Sequence, residues 1–383
     1  MTAQEILHAL VAIPTPSATS NLPLLDWVAR FLEAQDWRVE LRPYKDQNGV
    51  AKANLLARAA TAPRDNSTIG LAFVCHTDTV PLPAGWAMAL ELRDSLNGKL
   101  LHGCGACDVK GALACFLAAV KGLAHVRPDV ALILSADEEI GCKGMDQLLA
   151  TTQLSIKSAI VSEPTSLRPG IAGKGYGLAR ITVNGIAAHS AYPQEGLSAI
   201  ALAARLITRI ERLGAQFPLG GDSLPTVNAL FDPPCTTVNV GTIEGGTAKN
   251  IVASECSFLV EWRPIPADPP RALLAQLEWL ADGLRVEEPR AKIHVESLRA
   301  EGGFESVRIG PLQQQLTEIL GAHRKPTGIS FGSEASRLAR IADEVIVIGP
   351  GDMHTAHSER ECVPVAELKE WTDALRALLT MPE

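Results

Sequence analysis

Four short apolar runs, Leu71 to Cys75, Val130 to Ala136, Ser158 to Ser162 and Val345 to Ile348, each lead straight into ionisable residues. His76, Thr77 and Asp78 follow the first, Asp137, Glu138 and Glu139 the second, and Glu163 and Pro164 the third. The fourth opens the stretch that leads to His357. Apolar runs of about four to eight residues, with no polar alternation, read as strands buried on both faces. Strands of that kind belong to parallel sheets covered by helices, where ligands sit beyond the carboxyl ends of the strands. The pattern predicts an α/β fold with its functional site at those four ends.

Helical spacing supports the same class. Leu24, Trp27, Val28, Phe31 and Leu32 recur on one helical face, and Lys110 to Leu123 reads as a buried helix. The middle of the chain differs, with strand-like Leu178 to Asn184, an amphipathic helix around Leu197 to Leu213, and strand-like Thr237 to Val240 and Ser257 to Trp262. Clusters of Pro and Gly at Pro218 to Asp222, Asp232 to Pro234 and Pro264 to Pro270 punctuate it. A chain of 383 residues accommodates about two domains on the order of 150 residues each. The expected division is a larger α/β domain, residues 1–173 and 298–383, interrupted by a smaller α+β module, residues 174–297.

Charge and composition exclude several partners. There are 43 acidic and 35 basic side chains, a formal charge of −8, whereas a nucleic-acid groove needs a basic surplus. No apolar run reaches the roughly 18 residues of a membrane span. The opening MTAQEILHAL has no basic cluster ahead of an apolar stretch, so it does not resemble a secretory signal. These features place the chain in the cytoplasm, with no nucleic acid and no membrane as partner. The eight cysteines sit in apolar or mixed segments and read as reduced thiols. Cys104 and Cys107 form a C-x-x-C, a spacing shared by zinc ribbons and redox sites, but no second pair completes a ribbon. Their expected role is packing.

Five ionisable residues fall at the predicted strand and loop ends: His76, Asp108, Glu139, Glu163 and His357. Imidazole with carboxylate suits zinc and the neighbouring divalent metals. Two divalent cations, three carboxylates and one bridging hydroxide sum to zero charge, whereas the carboxylates alone would repel one another and rise in pKa. Any one of them alone reads as a solvated loop acid; their shared placement at strand ends argues for a metal cluster. His76 and Asp78 lie two residues apart, so in continued strand geometry the Asp78 carboxylate would bond the ring N–H of His76. Asp78 alone would read as a turn residue. Adjacent Glu138 and Glu139 point to opposite sides of an extended segment, leaving one free to act as a base. Glu163 before Pro164 is held extended, although Glu-Pro also opens turns. Asp108 lies in GCGACDVKG, whose glycines permit a tight fold; a phosphate loop there would need a pattern this segment lacks.

The motifs HTDTVP (His76 to Pro81), GCGACDVKG (Gly103 to Gly111), SADEEIG (Ser135 to Gly141), SEPT (Ser162 to Thr165) and GPGD followed by AHSERE (Gly349 to Glu361) together resemble the dinuclear-metal M20 peptidase and deacylase family. AGKGYG (Ala172 to Gly177) and FGSEAS (Phe331 to Ser336) make it most similar to the branch that deacetylates N-acetylornithine and N-acetylcitrulline. The resemblance implies a zinc-peptidase-like catalytic domain, with a central mixed sheet flanked by helices, and an inserted lid and dimerisation domain. It implies two divalent ions, zinc or cobalt, bridged by Asp108. His76 and Glu163 would complete one site, and Glu139 and His357 the other. Glu138 would be the general base, with Asp78 beside it in the catalytic set. His189 would reach across a homodimer to the oxyanion, while Asn250 and Arg263 would hold the substrate carboxylate. His189 alone reads as a turn histidine and Arg263 as a surface ion-pair partner. Lys174 offers a further carboxylate donor, and Glu334 is placed near the distal ammonium of ornithine or, failing that, as a helix-start acid.

The expected activity is hydrolysis of a small N-acyl amino acid, N-acetyl-L-ornithine to L-ornithine and acetate, as in arginine biosynthesis. Within the family a succinyl-diaminopimelate desuccinylase or a dipeptidase or carboxypeptidase is the alternative. Outside it stands a non-catalytic binding protein of the same fold.

Overall fold

The computed structural model describes residues 1–62, 68–82, 86, 88–216, 228–306 and 309–381. The Pro218 to Asp222 cluster lies outside the described residues. The chain forms two compact units, one of Met1–Ile171, Ser306–Thr327 and Ser333–Glu383, the other of Ala172–Glu305 and Gly328–Gly332.

The first unit is organised by a mixed sheet. Its strands lie in the order Trp37–Lys45, Ala51–Ala59, Val130–Ser135, Thr68–His76, Ser155–Val161 and Ala342–Val347. The last four are mutually parallel and coincide with the four apolar runs. Val130–Ser135 is buried at every position and Thr68–His76 at all but its first, as strands covered on both faces must be. The first two strands pair antiparallel and make the sheet mixed.

Helix Lys110–Val120 is buried along its whole length. It packs against helices Ala3–Val11 and Val365–Thr380. Its Phe116 stacks on Phe73 at 4.7 Å and meets Trp37 edge-on at 5.7 Å. Those aromatic contacts fasten the helix to the strand that ends in His76, and burying such rings contributes about 1.5–3 kcal/mol each. From the outer parallel strand, buried Glu344 accepts the amides of Leu312 and Gln313, both at 2.9 Å. That carboxylate satisfies free N–H groups of helix Pro311–Leu320, a role helices otherwise assign to a local cap.

The second unit is an antiparallel sheet in the order Thr237–Gly245, Glu255–Arg263, Tyr176–Asn184 and Lys292–Glu301. Buried and less buried residues alternate along its two inner strands, the mark of a sheet with one covered face. Helices Ala199–Gln216 and Ala272–Glu287 supply that cover, through residues such as Leu206, Ile210, Leu277 and Leu284 against Ile181, Val183, Phe258 and Val260. Gly177 is required here, because a Cβ would lie 1.8 Å from the buried Trp262 ring. The boundary expected between residues 297 and 298 falls inside strand Lys292–Glu301, so the unit continues to Glu305. Among the described residues, no helix is long and apolar enough to cross a membrane.

Candidate metal centre

The four parallel strands deliver their carboxyl ends side by side. His76 is the last residue of its strand and pairs in register with Ser135, two residues before Asp137. Val161 ends the neighbouring strand two residues before Glu163. The residues around these ends form two groups of potential metal donors, His76 with Asp108 and Glu163, and Asp108 with Glu139 and His357. Within each group the donor atoms all lie within 4.8 Å of one another.

Distances inside the groups test whether metal ions suit them. His76 Nε2 is 3.0 Å from Asp108 Oδ1, and His357 Nε2 is 3.0 Å from Asp108 Oδ2. His357 Nε2 is also 3.2 Å from Glu139 Oε1, in a geometry that makes no hydrogen bond. Two ligands each about 2.0–2.2 Å from one tetrahedral zinc stand about 3.3–3.6 Å apart, so these atoms would take an ion after parting by a few tenths of an ångström. Asp108 turns one oxygen to each imidazole, the arrangement of a bridging carboxylate.

The tautomer of His76 fits as well. Its Nδ1 is 2.9 Å from the Asp78 carbonyl oxygen. A carbonyl only accepts, so Nδ1 carries a proton, and Nε2, which faces Asp108, is the nitrogen a metal ion would take in place of its own proton. This corrects the expectation for Asp78, whose carboxylate stands 3.7 Å from the ring. The strand ends at His76, so the alternation that would align the two side chains does not continue. The Asp78 carboxylate instead accepts the amides of Glu138 at 3.0 Å and Glu139 at 3.3 Å, and the Ser17 hydroxyl at 2.7 Å. It positions the acidic loop.

That loop also departs from the extended segment expected. Asp137 takes a left-handed backbone, φ 59, held by its side-chain bonds to Lys52 and the Tyr44 hydroxyl. The turn that follows, rather than strand alternation, separates the carboxylates. Glu139 faces His357, while Glu138 Oε1 accepts from the Cys142 thiol at 3.4 Å.

Electrostatics bear on what the cluster can hold. Burial, then the charge of Asp108, pushes Glu163 well above the carboxylate range. Burial likewise raises Glu138 and Glu139. Only Asp108 is held down, by hydrogen bonds from His357 and His76 that outweigh its burial. Acids crowded this way are stable as anions once cations sit among them, and the donor set therefore fits two divalent ions.

One contributor carried no signal in the sequence. Buried Glu361 accepts the amides of Cys107 at 3.1 Å and Asp108 at 3.2 Å, and so fixes the loop that presents Asp108. It sits in AHSERE, four residues after His357, but an acid that bonds backbone 254 residues away has no spacing to reveal it. Glu361→Ala is expected to weaken metal binding about 10- to 100-fold, measured by competition with a chelator. Cys104 and Cys107 are buried free thiols, and neither belongs to a metal-capable group among the described residues.

The remaining candidates are placed as follows. Glu334 is in the first unit but only 1% exposed, and burial raises its carboxyl to about 7. It precedes the short helix Ala335–Leu338 and is buried much as the donors His76 and Glu163 are. Lys174, in the second unit, is 3% exposed and donates to the carbonyls of Pro233 and Cys235 at 3.1 and 2.7 Å. Two of the three N–H groups of its ammonium hold that segment. Arg263 pairs with Glu261 at 2.7 Å and lies over the Tyr176 ring. His189 and Asn250 are exposed. His189 bridges to Ile251, and the Asn250 carbonyl accepts the Ser190 amide at 3.0 Å, so the two lie on adjoining segments.

The sequence model of peptidase family M20/M25/M40 matches residues 72–381. The chain belongs to this family. Among its relatives, the acetylornithine deacetylase of Myxococcus xanthus is 39% identical over 362 residues, 94% of this chain and 92% of that protein. The acetylornithine deacetylase of Proteus mirabilis is 29% identical over 387 residues, covering 98% and 95%. A Staphylococcus aureus tripeptidase shares the fold with a TM-score of 0.75 at 20% identity, over 98% of this chain and 96% of that one. A dinuclear metal binding peptidase of the M20 family from Bacillus subtilis does so with a TM-score of 0.66 at 13% identity, covering 98% and 97%. With its two donor groups, this M20 chain is a metal-dependent amidohydrolase.

Proposed function

We propose that the chain hydrolyses N-acetyl-L-ornithine to L-ornithine and acetate, with zinc in both donor groups. The observation that carries the hydrolytic reading is Asp108, which offers one oxygen to each group beside the unligated carboxyl of Glu138. The acetylornithine deacetylase relatives support the substrate. Imidazole and carboxylate donors in sets of three support zinc, with cobalt as the alternative metal, and the Bacillus subtilis peptidase of the same fold supports two ions.

Two zinc ions at these positions would supply a water acidified from a pKa of 15.7 toward about 7. Glu138 accepts the proton of that water and returns it to the leaving amine nitrogen. Asp78 holds the Glu138 amide and keeps the base in place. His189 donates to the developing oxyanion, a term commonly worth about 3–4 kcal/mol. Asn250 and Arg263 receive the substrate carboxylate; for Arg263 this means exchanging Glu261 for the ligand.

A homodimer through the second unit is part of this reading. Ile186, Tyr192, Ile200, Ile243 and Ile251 are all exposed there, and Thr237–Gly245 is an edge strand of its sheet. Exposed apolar groups beside an open edge are the features a partner copy would cover. A reducing compartment, the cytoplasm, agrees with eight cysteines that stand as free thiols.

Assays with zinc or cobalt against N-acetylornithine, N-acetylcitrulline, succinyl-diaminopimelate and dipeptides test the proposal. N-acetylornithine is expected to give the highest kcat/KM. Preference for the succinyl compound or a dipeptide would move the assignment within the family, and two bound metals with no turnover of any of them would overturn it.

A further inference from the structure

A cavity in the first unit offers the distal ammonium of the substrate a partner other than Glu334. It has a volume of about 430 Å3 and is lined by Tyr44, Asp46, Asp137, Glu139 and Lys143 among others. That volume lies in the range of small-molecule sites. Because Glu139 belongs to one donor group, the cavity adjoins the proposed reaction centre. We propose that this cavity is the subsite for the substrate side chain and that Asp46 binds its terminal ammonium. The assignment rests on the deacylase reading and adds to it the residue that selects the side chain.

Charge and hydrogen bonding in the wall single out Asp46. Lys52, Asp137 and Asp46 are nearly sealed from solvent, with side chains 1%, 1% and 6% exposed. One lysine faces two carboxylates, so this buried trio keeps one negative charge. Asp137 is engaged by both Lys52 and the Tyr44 hydroxyl, the latter at 2.8 Å. Lys52 is in turn committed to Asp137 and the Ser17 carbonyl. Asp46 uses Oδ1 for the amides of Asn48 at 2.8 Å and Val50 at 2.9 Å, while Oδ2 stands 3.8 Å from Lys52, beyond hydrogen-bond reach. Oδ2 is therefore the acceptor the wall has left for a cation.

Lys45 and Lys143 also border the cavity and oppose a cation there. Both are exposed, and solvent and salt screen exposed charges far more than sheltered ones. The Asp46 carboxylate, turned in from solvent, prevails. Three methylenes separate the Cα of ornithine from its ammonium, which suits a subsite set to one side of the scissile bond.

The test compares N-acetylornithine with N-acetylnorvaline, which has a similar side chain but no ammonium, on the metal-loaded enzyme. Asp46→Asn removes the charge but keeps an oxygen to accept the Asn48 and Val50 amides. It is expected to lower the ratio of kcat/KM for N-acetylornithine over N-acetylnorvaline about 10- to 100-fold, the effect of one charged hydrogen bond, mainly through KM. Lys143→Gln, at an exposed position, is expected to raise the same ratio. If the ratio stays unchanged in both variants while the wild type cleaves N-acetylornithine, the subsite is wrong and the deacylase reading stands. If the wild type cleaves neither compound, the deacylase reading fails and takes the subsite with it.

Discussion

Glu138→Gln is expected to bind two metal ions as the wild type does and to lose about 10^2- to 10^4-fold in kcat, the range that a positioned general base contributes. The substitution keeps the side chain's shape and removes its ability to take a proton. Glu138 lies in neither donor group, so metal content should be unaffected. Its amide is held by Asp78 and its carboxyl meets the Cys142 thiol. Burial first, and then the acidic neighbours Glu139, Glu334 and Asp78, raise it toward neutrality, where a base is best matched to its task. Metal analysis beside steady-state kinetics checks the prediction. Unaltered kcat with two ions bound would remove Glu138 from the mechanism, and lost metal would show that it acts as a ligand.

The same loop shows which parts of the protein are legible in the sequence. The parallel strands are, because burial on both faces writes each as an unbroken apolar run, and parallel order brings their ends together. Strand Ala51–Ala59 is not, since AKANLLARA favours a helix by intrinsic propensity. Packing between two neighbouring strands overrides that preference and buries even Lys52 and Asn54. Trp37–Lys45 is equally hidden, as a sheet edge carrying Arg38, Glu40, Arg42 and Pro43 that no apolar pattern betrays. Donor types and their positions at strand ends suffice for the metal groups. Support of those donors is different in kind: Glu361, Ser17 and the backbone carbonyl of Asp78 act through contacts that depend on the folded loops. Glu334 and Lys174 illustrate the converse, polar residues in suggestive motifs that folding commits to the interior.

Asp108→Ala should have a wider effect than the loss of any other donor, because Asp108 alone belongs to both groups. Removing it leaves His76 and Glu163 on one side and Glu139 and His357 on the other, two donors apiece where zinc sites use at least three. Activity is expected to disappear together with both ions at metal concentrations that saturate the wild type, whereas Glu163→Ala should spare the group of Asp108, Glu139 and His357. Thermal unfolding supplies a readout independent of turnover. Metal at a thousand times its Kd stabilises a folded protein by about 4 kcal/mol per site, so a chelator should lower the wild-type Tm. The Asp108→Ala protein, already without ions, should melt at the same temperature with and without chelator. If it retained two ions, or its Tm still fell with chelator, Asp108 would not be the bridge and the paired-metal assignment would have to be abandoned.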